Sequence, residues 1–146
     1  MYRNGEGYFD KTMGDAIANA SPIVFTIPVA PRTKKNHSQV VRSGGRTFVV
    51  PSKQYQQFRK DCMATIPAWA RKKVNCAVNV KAIYYMPTAR RVDKTNLESA
   101  LMDVLVDAGV LADDSAISPR IVVSTDGSRV YTDKHYPRIE VEITYV

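Results

Sequence analysis

The sequence has no apolar run long enough to cross a membrane. A helix that spans a bilayer needs about 20 consecutive apolar residues, and polar residues interrupt every stretch of this 146-residue chain before that length. The first residues also lack the apolar core of a signal peptide, so we expect a cytoplasmic protein with no membrane partner.

Cysteine is scarce as well. Cys62 and Cys76 lie in a predicted helix and a predicted strand, and they show neither a Cys-x-x-Cys motif nor another metal spacing. We expect both thiols to be buried and reduced, as is usual in the cytosol.

Acidic residues are nearly absent from residues 32–73. Asp61 is the single acid there, against eleven lysines and arginines, so this stretch carries +10 and the rest of the chain carries −3, for a net charge of +7. Six acids fall instead between Asp93 and Asp114. A basic region and an acidic cluster in one small protein suit binding to a polyanion and catalysis through a cation. The charge excess alone is equally compatible with a solvated basic surface that has no partner.

The hydrophobic pattern predicts one α/β domain with a mixed sheet and two main helices. Strands are expected at 22–28, 46–50, 74–86, 119–125, 129–132 and 138–145, with a loop at 29–45. The first helix follows Ser52, an N-cap residue, and ends at Pro67; the second covers 96–108 and stops at Gly109. Asp126-Gly127 predicts a hairpin turn. Residues 1–20 lack periodicity and are interpreted as a variable extension ahead of a domain at 21–146.

The second predicted helix is flanked by acids. Asp93 comes just before it, after Arg90 and Arg91, and the pair Asp113-Asp114 comes just after it. Magnesium takes oxygen ligands, usually one or two carboxylates completed by water and substrate phosphate. Phosphodiester hydrolysis needs such an ion, and the arginines are suited to hold neighbouring phosphates.

Each acid in this region also has an ordinary structural interpretation. Thr95 and Glu98 form a capping box, Thr-x-x-Glu, which makes Glu98 a helix cap rather than a metal ligand. Asp107 is expected to be a solvated surface acid, whereas Asp103 borders the apolar stripe of the helix. Asp93 alone fits a loop, and two adjacent acids fit a turn. Residue types and spacing leave these alternatives open.

The combined pattern resembles the RusA family of Holliday junction resolvases. It consists of Arg-Arg-x-Asp-x-x-Asn-Leu at 90–97, a helix that contains Asp103, and Ala-Gly-x-x-x-Asp-Asp at 108–114. Upstream, Phe25-Thr26-Ile27-Pro28, Pro31 and Asn36 are similar to the first strand and basic loop of that family, so the resemblance covers roughly residues 22–146.

The resemblance implies a RusA-like fold and a dimeric, Mg²⁺-dependent endonuclease, often encoded by phages or prophages, that acts on four-way junctions in DNA recombination and repair. By this resemblance Asp93, Asp113 and Asp114 are catalytic residues and metal ligands, with Asp103 as a further metal ligand. The DNA-binding set that we expect comprises Arg32, Lys34, Lys35, Asn36, Arg42, Arg46, Arg90, Arg91 and Lys94. Tyr85, Tyr55 and Phe48 are either base-stacking or core residues.

Two positions depart from the family pattern. Thr95 stands where the family usually has a second aspartate, and Ser99 stands where it has a lysine. Glu98 or Asp103 are candidates for the missing charge, and Lys94 for the lysine. Two alternatives therefore stay open: a catalytically weakened protein that binds branched DNA, and a nuclease for another branched DNA.

The predicted helix length constrains how the acids meet. Thirteen residues at about 1.5 Å each span roughly 20 Å, whereas a magnesium ion needs its ligands at about 2.1 Å. Asp93 and Asp114 of one chain therefore share an ion only if the following loop folds back. The alternative is a two-fold homodimer that pairs this helix antiparallel with its copy, through Met102 and Val106, and builds two composite sites.

Overall fold

The structure, a computed structural model, describes residues 20–33, 38–112 and 121–146, with the side chains of 38–41 and 48–51 left out. Its elements in chain order are β1 (Ile23–Ile27), β2 (Ser38–Ser43), β3 (Arg46–Pro51), α1 (Lys53–Thr65), a 3₁₀ turn (Ala68–Ala70), β4 (Val78–Met86), α2 (Lys94–Asp107), β5 (Val122–Ser124), β6 (Arg129–Thr132) and β7 (Arg138–Tyr145). Residues 1–19, which hold nearly all of the predicted extension, lie outside this range.

A mixed sheet forms the centre of the fold. Its order is β1, β7, β4 and then β5, with β6 also paired to β4. β7 runs antiparallel to β1 and β4, whereas β5 and β6 run parallel to β4. Alternate residues of β1, β4 and β7 are buried and join the apolar sides of α1 and α2 in one core cluster. The prediction of an α/β domain with a mixed sheet and two helices is confirmed.

The first helix follows its local sequence signals. The Ser52 hydroxyl accepts a hydrogen bond from the Tyr55 backbone N–H at 3.1 Å, which satisfies one of the unpaired donors of the first turn. Tyr55, Phe58 and Cys62 recur at helical spacing and are buried. The helix ends one residue before Ile66 and two before Pro67, as predicted.

The second helix begins two residues earlier than predicted, at Lys94. Its N-cap is Asp93, whose Oδ1 accepts a hydrogen bond from the Thr95 N–H at 2.9 Å. Thr95 therefore lies inside the first turn, and the predicted Thr95–Glu98 capping box is wrong. Aspartate is a strong N-cap residue and its charge favours a helix N-terminus, so the upstream acid takes the capping position.

The C-terminus of α2 closes with a Schellman motif. Gly109 has φ +79°, its N–H donates to the Val106 carbonyl at 3.0 Å, and the Val110 N–H donates to the Leu105 carbonyl at 2.9 Å. This left-handed residue reverses the chain and sends Leu111 alongside Val74, where the two form a parallel bridge. Gly109 thus sets the direction in which the chain leaves toward Asp113 and Asp114.

Gly109→Ala is expected to lower the free energy of unfolding by about 1–2 kcal/mol, the cost of placing a Cβ in the left-handed region. A Cβ there meets only the Lys73 side chain, at 3.8 Å, so backbone strain is the cause. Urea unfolding measures the effect. Gly109→Asn is the matched control, because asparagine tolerates this conformation, and an equal loss in both variants would contradict the explanation.

β2 is an element that the sequence analysis missed. Residues 38–43 fall in the predicted loop, but they pair antiparallel with β3 in a separate two-stranded sheet. Gly44 and Gly45 connect the strands, and both have positive φ, +58° and +77°. Such angles at both central residues are those of a type I′ hairpin turn, whose twist matches the flanking strands.

The hairpin predicted at Asp126-Gly127 is wrong. β5 and β6 do not pair with each other; both run parallel to β4, one after the other, and residues 125–128 bulge between them. The Asn79 side chain holds this bulge, because its Oδ1 accepts from the Asp126 N–H at 2.7 Å and from the Ser124 hydroxyl at 2.6 Å. The buried Ser128 hydroxyl in turn accepts from the Ala82 N–H at 3.0 Å.

β4 starts at Val78, four residues later than predicted. Val74 is buried but makes only the bridge to Leu111, and Cys76 lies in a bend before the strand.

Both cysteines are free, with Cys62 buried and Cys76 only half-buried, and burial raises the pKa of the Cys62 thiol to about 12. Neither helix has the length and apolar character needed to cross a bilayer, and the described residues hold no other candidate span.

Candidate functional site

A groove opens where the chain leaves β4 for α2. The loop at 87–93 forms one wall and the segment after β1 forms the other, around a volume of about 400 Å³. The groove is lined by Ala30, Pro31, Arg32, Thr33, Met86, Pro87, Thr88, Arg90, Arg91, Val92, Asp93 and Asn96. Four of the predicted site residues, Arg32, Arg90, Arg91 and Asp93, therefore share one concave surface.

Positive charge exceeds negative charge in the groove. Asp93 contributes one carboxylate, whereas Arg32, Arg90 and Arg91 contribute three exposed guanidinium groups. Oδ1 of Asp93 is held by the Thr95 N–H, which fixes the orientation of the carboxylate at the N-terminus of α2. The surroundings are thus suited to a phosphodiester, with guanidinium donors for its oxygens and an oriented carboxylate beside them.

The groove continues along α1. Ala30 and Arg32 also line a second hollow of about 640 Å³, together with Gln54, Gln57 and Asp61 of α1. The Arg32 guanidinium lies 3.5 Å from the Gln54 side-chain oxygen. Arg32 therefore bridges the two hollows and faces both.

Asp103 lies at the other end of α2 from Asp93. Ten residues separate the two, so their Cα atoms are about 15 Å apart along the helix axis. Asp103 lines a hollow of about 320 Å³ with Met102, Val106, Leu111, Ala112, Ile121 and Val122. Ala112 and Ile121, the described residues that flank the segment carrying Asp113 and Asp114, both line this hollow.

Asp103 also influences the adjoining core. Burial raises the pKa of Tyr55 to about 12, and the charge of Asp103 adds to the shift. Tyr55 is 2% exposed and packs against Phe58, which makes it a core residue rather than a base-stacking residue. Asp107 was predicted to be solvated; it is partly exposed but forms an ion pair with Arg59 of α1 at 2.9 Å.

Glu98 points toward the sheet instead of capping the helix. Its Oε2 atom is buried and has no hydrogen-bond partner in the described part of the chain, and the same holds for the hydroxyl of Tyr84 in β4. Burial, together with the charge of Glu98, raises the pKa of Tyr84. The proximity of Glu98 to Tyr84 depends on which strand lies beneath α2, so residue spacing alone does not predict it.

The other predicted basic residues are distributed away from the groove. The Lys94 Nζ lies 3.4 Å from the Ser128 carbonyl, at the bulge between β5 and β6. Arg42 and Arg46 are exposed near the turn of the β2–β3 hairpin. Lys34, Lys35, Asn36, Asp113 and Asp114 lie outside the described residues.

A complete metal site is not assembled by the described residues of one chain. Within residues 20–33, 38–112 and 121–146, no three His, Cys, Asp or Glu side chains come together. Asp93 and the Asn96 side chain share the groove, and this partial oxygen donor set is compatible with a magnesium ion completed by water, phosphate and further carboxylates.

A group of aromatic residues lies on the sheet and was only partly anticipated. Tyr85, one of the candidate stacking residues, is half-buried; its ring contacts Tyr131 at a centroid distance of 5.8 Å and lies 3.7 Å from the Arg138 guanidinium carbon. Arg138 also lies 4.6 Å from the ring centre of Tyr136. Tyr131 joins the group through the register of β6 and β4, and Tyr136 joins it from the turn between β6 and β7, so the periodicity of one segment predicts neither contact. Phe48, the third candidate, has its side chain outside the described part.

Comparison with known proteins assigns the chain to a family. The profile of a protein family described as endodeoxyribonuclease RusA matches residues 28–144, which include the groove and both helices. No curated protein is significantly similar to the chain. Since the matched region covers most of its length, the chain belongs to the RusA family of endodeoxyribonucleases.

Proposed function

We propose that this protein is a Mg²⁺-dependent endonuclease that resolves four-way DNA junctions by paired phosphodiester cuts. It would act in the cytoplasm of a bacterial cell or of a phage-infected host cell. The observation that carries the proposal is the groove in which Asp93 lies among Arg32, Arg90 and Arg91. Membership of the endodeoxyribonuclease family supports the cleavage of DNA. The paired cuts in a junction would serve DNA recombination and repair.

The arginines of the groove would bind and orient the DNA backbone. A guanidinium group presents two parallel N–H donors to phosphate oxygens, which fixes the phosphate in position as well as attracting it. Arg90 and Arg91 approach from the loop and Arg32 from the segment after β1, so the phosphate would be held from both walls. Backbone contacts of this kind give affinity without sequence preference.

Asp93 is proposed as a metal ligand together with Asp113, Asp114 and Asp103. The cap hydrogen bond to the Thr95 N–H uses Oδ1 of Asp93 and aims the carboxylate. When bound, Mg²⁺ supplies the activation of a water molecule and neutralises the charge on the leaving oxygen. Thr95, which replaces the aspartate of the family pattern, contributes its backbone N–H to this arrangement.

A homodimer is the simplest way to bring these acids together. Asp93 and Asp103 lie too far apart along α2 to share an ion within one helix. The hollow beside Asp103 is largely apolar and includes the half-buried Met102 and Val106, the residues proposed for an antiparallel α2–α2 contact. In such a pair, the start of one helix meets the end of the other, and two equivalent sites form.

The remaining basic residues would extend the DNA path. Arg42 and Arg46 are exposed on the β2–β3 hairpin, and Lys34, Lys35 and Asn36 come just before it in the chain. Lys94 lies at the first turn of α2. In this proposal these residues would add phosphate contacts outside the groove, along the backbones of a branched substrate.

Arg90→Ala combined with Arg91→Ala is expected to weaken junction binding uniformly across DNA sequences. The slope of log affinity against log salt should fall by about 1 for each lost phosphate contact. Fluorescence anisotropy over a salt series, without metal, measures both quantities. Lys72→Ala removes an exposed cation outside the groove and is the control; an equal effect of that change would show that only net charge matters.

A labelled four-way junction incubated with and without Mg²⁺ tests the function itself. Paired nicks at symmetric positions that require the metal support the proposal. Binding without cutting would favour the catalytically weakened DNA-binding protein suggested by Thr95. Preferential cutting of a flap or another branch would replace the substrate but keep the nuclease.

A further inference from the structure

Tyr131, Tyr85, Arg138 and Tyr136, here named the tyrosine–arginine stack, form an ordered platform. Tyr131 pairs with Tyr85 in the register of β6 and β4, and Tyr85 pairs with Arg138 in the register of β4 and β7. The three residues therefore form one row across the sheet, on the face opposite the buried Tyr84. Tyr136, in the turn before β7, adds a further ring, whose centre lies 4.6 Å from the Arg138 guanidinium carbon.

The platform is rigid because Arg138 is held from several directions. Its guanidinium donates to Asp133 and to Glu140, each at 3.0 Å, and to the Tyr136 carbonyl at 2.9 Å. The hydrogen bond from Arg138 lowers the pKa of Asp133. Oδ1 of Asp133 also accepts from the backbone N–H groups of His135 and Tyr136, both at 3.1 Å. These hydrogen bonds hold the Arg138 guanidinium and the turn that carries Tyr136 in place.

Two rings of this platform remain available to a ligand. Tyr131 is 51% exposed and Tyr136 is 48% exposed, although core packing usually hides side chains of this size. Lys134 and Arg129 are exposed in the same β6–β7 region. Exposed rings next to cations are the combination that binds unpaired nucleotides, since the base stacks on the ring and its phosphate meets the cation.

The platform is also attached to the candidate site. The Asp133 N–H donates to the Met86 carbonyl at 2.8 Å, and Met86 lines the groove that contains Asp93. The turn that carries Tyr136 therefore begins at the edge of that groove. A nucleotide that leaves a base pair near the groove would have a stacking surface within reach.

We propose that the tyrosine–arginine stack binds an unpaired nucleobase of branched DNA, next to the groove that holds Asp93. This inference rests on the proposed function, because it assumes that branched DNA is the ligand. It adds a specific role for Tyr131 and Tyr136, which is to bind a splayed base and so favour branched or gapped DNA over continuous duplex.

Binding of gapped DNA without metal tests this proposal separately from cleavage. The probe is a duplex with a short single-stranded gap that contains 2-aminopurine, whose fluorescence falls when the base stacks; the reference is the fully paired duplex. Tyr131→Ala combined with Tyr136→Ala should lose roughly tenfold in affinity for the gapped probe and lose the quenching. Affinity for the paired duplex should not change.

Two further variants make the result specific. Tyr131→Phe with Tyr136→Phe keeps both rings and should behave as the parent protein. Trp69→Ala removes another exposed aromatic residue, one that packs on Phe25 of β1 at the opposite edge of the sheet, and should have no effect. Circular dichroism and sedimentation establish that each variant keeps its fold and its oligomeric state.

Three outcomes would overturn the proposal. These are unchanged binding of the gapped probe, an equal loss on gapped and paired DNA, or a change in oligomeric state that shows this face to contact a second copy. If stacking is confirmed but the protein cleaves no junction with Mg²⁺, the proposed function fails and the DNA-binding role of the platform remains.

Discussion

Asp93→Asn is expected to reduce junction cleavage by more than about 100-fold, since loss of a mere supporting residue around a metal already costs about 10–100-fold. The substitution separates the two roles of this residue. Asparagine is as good an N-cap as aspartate, and its side-chain oxygen can still accept from the Thr95 N–H, so α2 should keep its start. The negative charge that would hold a metal is removed. Single-turnover cleavage of a labelled junction measures the loss, and thermal unfolding should show little change.

Asp107→Asn is the matched control for this experiment. Asp107 is an acid of the same helix, partly exposed and paired with Arg59 on α1, outside the groove. Exposed ion pairs contribute at most about 1 kcal/mol, so cleavage should stay near the parent rate. If Asp93→Asn cleaved as fast as Asp107→Asn, Asp93 would be a helix cap only.

Asp114→Asn should lose cleavage to a similar extent while it keeps junction binding. The arginines and lysines supply the binding energy, and removal of one acid does not weaken their attraction for phosphate. Binding measured without metal and cleavage measured with Mg²⁺ should therefore separate. Asp126→Asn, in the exposed bulge before β6, is the control. Retained cleavage by Asp114→Asn would show that the site is misplaced.

Local sequence signals predicted those parts of the fold that local interactions determine. Ser52 caps α1 and Gly109 ends α2, because a hydroxyl near free N–H groups and a residue that tolerates positive φ act within a few residues. The limits of β7 also followed from strict alternation between core and surface. Such features depend little on what the rest of the chain does.

Pairings between distant segments were not predictable in the same way. Asp126-Gly127 is a strong hairpin signal, yet the neighbouring strands both pair with β4, and the Asn79 side chain satisfies the backbone between them. The dipeptide encodes a turn but not the partner of each strand. Gly44-Gly45 shows the reverse: these residues do connect a hairpin, although the sequence pattern predicts a loop where its first strand, β2, lies.

The candidate site likewise combines residues that are close in sequence with residues that only the fold brings together. Arg90, Arg91 and Asp93 are adjacent in sequence, so their proximity required no knowledge of the fold. The contribution of Arg32 to the same groove depends on where the segment after β1 meets the loop after β4. The tyrosine–arginine stack depends on the register of three strands and on the turn that carries Tyr136, and no periodicity of a single segment encodes it.

Mixing the two inactive variants tests most directly whether the acids meet between subunits. In a heterodimer of Asp93→Asn and Asp114→Asn protomers, a shared site places both substitutions together and leaves the second site intact. Random exchange of subunits makes about half of the dimers heterodimers, and each heterodimer keeps one of its two sites. About a quarter of the parental sites should therefore be restored, seen as single nicks in the junction. If verified heterodimers stay inactive, each subunit builds its own site and the composite arrangement is wrong.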